Sequence, residues 1–115
     1  MIAILTVIGA IAFLSATGAI ALATERLTRG FDQVPTHLGI SGKPDAFGSR
    51  WVVIGLIPAI HVLTYAVLVA VPLLGLPTHG DPAAGLAVGI VMTGVTFAGA
   101  QGLIFVLTRR WRRGQ

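Results

Sequence analysis

Polar and apolar positions in this chain are segregated in blocks as long as whole helices. Positions 1–23, 51–71 and 84–107 contain no Asp, Glu, Lys or Arg. Each block is close to the roughly 20 residues that a helix needs to cross about 30 Å of hydrocarbon. The pattern predicts an all-α membrane protein with three transmembrane helices, over about residues 1–24, 51–71 and 84–108. A turn-rich loop joins helices 1 and 2, and the chain 1–115 reads as a single integral membrane domain.

Within the first block, Ala12, Ala16, Ala19 and Ala23 fall at helical spacings of four, three and four. This row predicts a small-residue face on which another helix packs closely. Gly30 is the expected stop for that helix. The second block contains Pro58, where a kink is expected because proline removes a backbone hydrogen bond. It also carries a small pair, Gly55 and Ala59. The third has Gly85 and Gly89 near its start and then Gly94, Ala98 and Gly102 at spacing four. Such rows serve packing within one chain and contacts between chains equally well. The gap 72–83, with three prolines and two glycines, reads as a short turn.

Composition agrees with lipid as the solvent. The chain is 55% hydrophobic, with only 10% charged residues, where a soluble domain carries about 25%. The net charge of +4 would point to nucleic acid in a soluble protein. Here it follows topology instead, and no nucleic acid partner is expected. Arg26, Arg29, Lys43 and Arg50 lie in the first loop, and Arg109, Arg110, Arg112 and Arg113 in the tail. Three crossings put these two segments on one side. The positive-inside rule then sets the N-terminus outside and the C-terminus in the cytoplasm. Ala21-Leu22-Ala23 resembles a signal-peptide cleavage site, but the basic n-region is missing and the apolar run is long, so retention is expected. With no Cys there is no disulfide, thiolate metal site or Cys nucleophile.

His61 stands out among the candidate functional residues. It lies ten residues past Trp51, about 15 Å deep at ~1.5 Å per residue, and Tyr65 is one turn away on the same face. An ionisable group at that depth is a functional candidate by default. The plainer expectation is a neutral His61 bonded to a polar side chain of the third helix. Thr96 lies there at matching depth, and Gln101 about a turn nearer the inner surface. Trp51 and the run Arg109-Arg110-Trp111-Arg112-Arg113 read as lipid and topology anchors, with anionic lipid attracted at ~1 kcal/mol per basic residue.

The first loop, 31–50, combines Pro35 and Pro44 with Gly39, Gly42 and Gly48, so it is expected to be a folded cap and not a long helix. Ser49 is the expected N-cap of helix 2. Asp45 is expected to bond local amides or to pair with Arg50 or Lys43. Gly39, Gly42 and Lys43 do not make a phosphate loop: the spacing is wrong, Pro44 follows the lysine, and no strand is expected to lead in. His37 and Asp45 are two ligands where a structural zinc site needs about four, so no metal and no cofactor is expected. As an acid–base pair they lack a nucleophile and an oxyanion site, and the chain does not read as an enzyme.

The run Pro35-Thr36-His37-Leu38-Gly39-Ile40-Ser41-Gly42-Lys43-Pro44-Asp45-Ala46-Phe47-Gly48-Ser49-Arg50 resembles a bacterial membrane domain of unknown function. That domain is found at the N-terminus of the immunity protein against the sporulation-delaying toxin and in many small membrane proteins (an SdpI-like family). Pro35, Thr36, His37, Gly42, Pro44, Asp45, Gly48 and Ser49 match its pattern. Arg50 stands where Lys is usual, Leu38 replaces an aromatic residue, and Gly39 replaces a frequent Asn. The likeness extends over about residues 1–75. It implies toxin immunity or signalling and a loop outside the cell, whereas the arginine count places the loop inside.

The function expected is therefore protein–protein interaction by a small multi-pass membrane protein, as an accessory subunit of a membrane complex or an immunity- or signalling-type protein. Its expected partners are membrane lipids and another membrane protein subunit or a peptide, with a homo-oligomer as a further option. The alternative is a small transporter or proton-conducting element built on His61, Tyr65 and Gln101.

Overall fold

A computed structural model describes residues 1–38 and 44–115, and the side chains of all of these except residues 36–38 and 44–46. Three helices dominate it. Helix α1 spans Ile2–Leu27, α2 spans Arg50–Leu73 and α3 spans Pro82–Arg113, and all three are long and apolar enough to cross a membrane. At ~1.5 Å per residue, even α2 exceeds the hydrocarbon thickness. The three-helix membrane architecture is thus the one the block pattern implies.

Residues 33–49 differ from expectation. Strands β1 (Gln33–Leu38) and β2 (Pro44–Ser49) pair antiparallel, with Gln33 opposite Ser49 and Leu38 opposite Pro44. The register slips between Pro35 and His37 and again before Leu38. Pro35 has no N–H to give the ladder, so a bulge beside it follows from its chemistry. A strand therefore does lead into the Gly39–Lys43 stretch. The exclusion of a phosphate loop rests on the spacing and on Pro44 alone.

Helix boundaries shift for local reasons. Asp81 caps α3 by accepting a hydrogen bond from the Ala84 amide at 3.2 Å, with Pro82 in the first turn, so α3 begins two residues earlier than predicted. It also runs on to Arg113, which puts the basic cluster on helix. Ser49 occupies the N-cap of α2, but its side chain makes no capping hydrogen bond. Helix α2 continues through Pro58 to Leu73, taking in Pro72. Gly30 follows the end of α1 with φ +90, a conformation that only glycine adopts without strain.

Helix α1 contains one π-helical segment, Ala10–Leu14. A π turn holds an extra residue and rotates everything that follows about the helix axis. This overturns the alanine row. Ala12 and Ala19 are exposed, and the buried positions are Gly9, Thr17, Ala21, Thr24 and Thr28. Of the glycine rows on α3, Gly94 sits against the Phe13 ring and Gly89 against Leu68, while Gly85, Gly99 and Gly102 meet nothing within 4 Å. Gly55 on α2 is likewise open.

The apolar core, formed by Tyr65, Val69, Leu86 and Ile90, lies in the half of the bundle remote from the hairpin. Between 11% and 22% of each apolar span is buried within the three-helix unit. Most of the hydrophobic surface therefore faces outward, where acyl chains solvate it.

Candidate functional site

The middle of the bundle is polar. Buried threonines on α1 lose little there, because each hydroxyl bonds back to its own helix: Thr17 to the Phe13 carbonyl, Thr24 to that of Ile20 and Thr28 to that of Thr24, each at 2.9 Å. His61 is fully buried on α2. Its Nδ1 lies 2.8 Å from Thr17 Oγ1, and its ring stacks on Phe97 of α3 with centroids 4.9 Å apart. The direction of the His61–Thr17 bond follows the tautomer of the ring, and Nε2 remains outside it in both tautomers.

The expected partner of His61 was on the third helix. It is Thr17 of the first, while Thr96 is exposed and bonds to the Met92 carbonyl. Tyr65, one turn along, donates its hydroxyl proton to the Thr6 carbonyl. Gly9 permits this contact, since a Cβ there would come within 2.6 Å of the Tyr65 oxygen. Gln101 of α3 is fully buried too. Neither its amide oxygen nor its amide nitrogen has a hydrogen-bond partner among the described residues, and nor does His61 Nε2.

The hairpin end of the bundle is basic and aromatic. Arg50, at the start of α2, donates from Nη2 to Glu25 Oε1 at 2.8 Å and to the Glu25 carbonyl at 2.9 Å, and from Nε to Thr28 Oγ1 at 3.1 Å. One guanidinium thereby joins the end of α1, where the Glu25 carbonyl also accepts from the Thr28 amide and hydroxyl. Its fork also lies 4.4 Å from the Trp51 ring centroid. The sequence suggested that Asp45 bonds local amides or pairs with Arg50 or Lys43, but the Asp45 side chain and Lys43 lie outside the described residues. Trp111 of the tail packs edge-on against Phe31 at 4.9 Å and Phe47 at 6.3 Å, and Arg112 stands over Phe31. These contacts put the first connector and the tail at one end of the bundle.

Arg50→Gln is expected to destabilise the fold clearly in a detergent unfolding titration. Arg29→Gln, at a side chain 67% exposed against 12% for Arg50, is expected to leave stability almost unchanged. Arg50→Lys recovers only part of the loss, since a single ammonium cannot reach carboxylate, carbonyl and hydroxyl together.

The motif positions are divided. Pro35, Gly48 and Ser49 lie on the hairpin, as do the backbones of His37, Pro44 and Asp45, while Gly42 lies outside the described residues. Val34, which the motif does not include, is fully buried. His79 is exposed in the turn before α3. Trp51 and Arg109, Arg110, Arg112 and Arg113 are exposed at the basic end, as anchors require. Among the described residues, no three His, Asp or Glu side chains group as metal ligands.

A family model described as a domain of unknown function, DUF1648, matches residues 32–62. The match takes in the hairpin and the first half of α2, ending one residue past His61. The family is one of membrane-associated domains, in agreement with the three apolar helices. No curated protein and no solved structure matches the chain.

Proposed function

We propose that the protein is a small multi-pass bacterial inner-membrane protein that acts by protein–protein interaction, as an accessory subunit or an immunity- or signalling-type protein and not as an enzyme. The observation that carries this reading is the fixed hairpin. Strands are scarce in a chain this apolar, yet the connector folds into one and is held down by Arg50, Phe31, Phe47 and Trp111. A connector that served only to join two helices needs no such fixing. The outward-facing Gly55, Gly99 and Gly102 add surface on which a partner's helix can approach closely.

A photo-crosslinker placed at exposed Gln33 tests the reading in cells. The expected result is one adduct of defined mass, lost when Trp111→Ala frees the hairpin from the tail. Capture of lipid alone at that position would argue against a protein partner.

The reading includes an orientation, with the N-terminus outside and the hairpin and tail in the cytoplasm. The chain has no native Cys, so single cysteines report sidedness directly. Gln33→Cys and Gln115→Cys are expected to react only from the cytoplasmic side, and His79→Cys only from outside. Labelling at positions 33 and 115 from opposite sides would overturn the orientation.

A second reading, a proton-conducting or transport element, is favoured by the buried row Tyr65, His61 and Gln101. Three helices enclose too little for a pathway, so this reading requires an oligomer. Proton flux into liposomes, abolished by His61→Ala in protein that still folds, would support it. Equal flux in the variant and in empty vesicles as in the native protein would remove it.

A further inference from the structure

Two fully buried polar side chains, His61 on α2 and Gln101 on α3, leave three polar atoms without a hydrogen-bond partner among the described residues: His61 Nε2, Gln101 Oε1 and Gln101 Nε2. They occupy neighbouring levels of the bundle. Phe97 stacks on His61, and Gln101 follows Phe97 by one helical turn on the same face of α3. The two helices run in opposite directions. Helical side chains lean towards the N-terminus of their own helix. His61 therefore leans towards the hairpin end, and Gln101 leans away from it, back over Phe97. The two leans bring the side chains towards one another.

The chemistry of the orphan atoms defines what fits there. In either neutral tautomer of His61, Nε2 has one hydrogen bond left to make, as donor or as acceptor. Gln101 offers one acceptor and one donor group. A water molecule has two protons to give and two lone pairs. It serves Nε2 in either role and meets the amide by donating to its oxygen or accepting from its nitrogen. Among the described residues the buried polar side chains are Thr, His and Gln, so no fixed charge stands there to hold an ion. Lipid can supply no hydrogen bond to these atoms at this depth, so they must find a partner inside the bundle. Buried water with two to four polar contacts is the ordinary solution.

We propose that His61 and Gln101 together bind internal water, forming a bridge between α2 and α3 in the middle of the membrane. This goes beyond both readings above and depends on neither. The water completes a chain of contacts from the Phe13 carbonyl through Thr17 and His61 to Gln101, tying α1, α2 and α3 together at one level.

Proton-detected solid-state NMR on the native protein in lipid bilayers tests the bridge directly. Magnetisation transfer from water is expected to reach the Gln101 side-chain amide and the His61 ring, and to disappear at His61 in Gln101→Leu. A Gln101 amide that water does not reach would overturn the proposal. So would a scalar coupling between the Gln101 amide and His61 Nε2, which reports a direct bond with no water between. Stability provides a second measurement through the cycle of His61→Phe and Gln101→Leu. If water links the two sites, the double variant loses less than the two single variants together. Strict additivity would refute the link.

Discussion

Gly94→Ala is expected to be among the most damaging single-methyl additions in the chain, at about 2 kcal/mol. A Cβ at Gly94 would overlap Cγ and Cδ1 of Phe13. Those atoms stand next to the Phe13 backbone, so the ring cannot yield by a small swing of its tip. Either Phe13 leaves the interface through a change of χ1 or α1 and α3 separate along their contact. Phe13 lies inside the π-helical segment, and its carbonyl accepts the Thr17 proton, so a separation there also pulls on the His61–Thr17 bond. Gly99→Ala and Gly102→Ala, on the same helix with nothing within 4 Å, add helix propensity and no clash. They are expected to be neutral or slightly stabilising. Unfolding by SDS titration in mixed micelles measures all three. If the clash is the cause, Phe13→Ala recovers part of the loss in Gly94→Ala. Equal stability of Gly94→Ala and Gly102→Ala would show that α1 and α3 do not meet at this point.

The same comparison shows what the sequence could disclose. Block hydrophobicity is a solvent-level property, so the three spans were legible from composition along the chain. Which face of each span is inward was less so. All three helices are apolar on every side, because lipid and neighbouring helices reward the same residues. Small residues then occur on both faces. Gly94 is covered, while Gly102, two turns on, is open. On α1 the π segment displaced the inward face by one residue, from Ala16 and Ala23 to Thr17 and Thr24, and a five-residue change of helical pitch has no composition of its own.

The hairpin was hidden for a different reason. Gln33–Leu38 and Pro44–Ser49 have few β-branched or aromatic residues, and each contains a proline, features that count against a strand. The strands form where both ends of the connector are anchored, at Arg50 on α1 and at Trp111 on Phe31 and Phe47. These are contacts between residues distant in sequence. At the candidate site, His61 and Tyr65 were legible as polar residues at depth. Thr17 was not, because a threonine that satisfies itself on its own helix gives no sign that it also bonds a neighbour.

His61 is where the largest side-chain truncation is expected to be felt. His61→Ala removes a fully buried ring that lies on Phe97 and bonds Thr17. In a soluble core such a change costs the transfer of the side chain plus the cavity it leaves. Within lipid the transfer part largely falls away, and lost dispersion contacts around an unfilled space remain. About 2 kcal/mol is the scale expected from that cavity together with the interhelical bond. His61→Phe separates the two contributions. It keeps a ring against Phe97 and gives up the bond to Thr17, so its loss is expected to be nearer 1 kcal/mol. Thr17→Val, which removes the other partner and retains the shape, is expected to match His61→Phe. If His61→Ala and His61→Phe lost the same amount, the ring stack would contribute nothing and the bond to Thr17 everything. If His61→Phe were fully as stable as the native protein, the polar contact would bring no net stability. His61 would then be retained at this depth for what it does, and the flux measurement on His61→Ala becomes the deciding experiment.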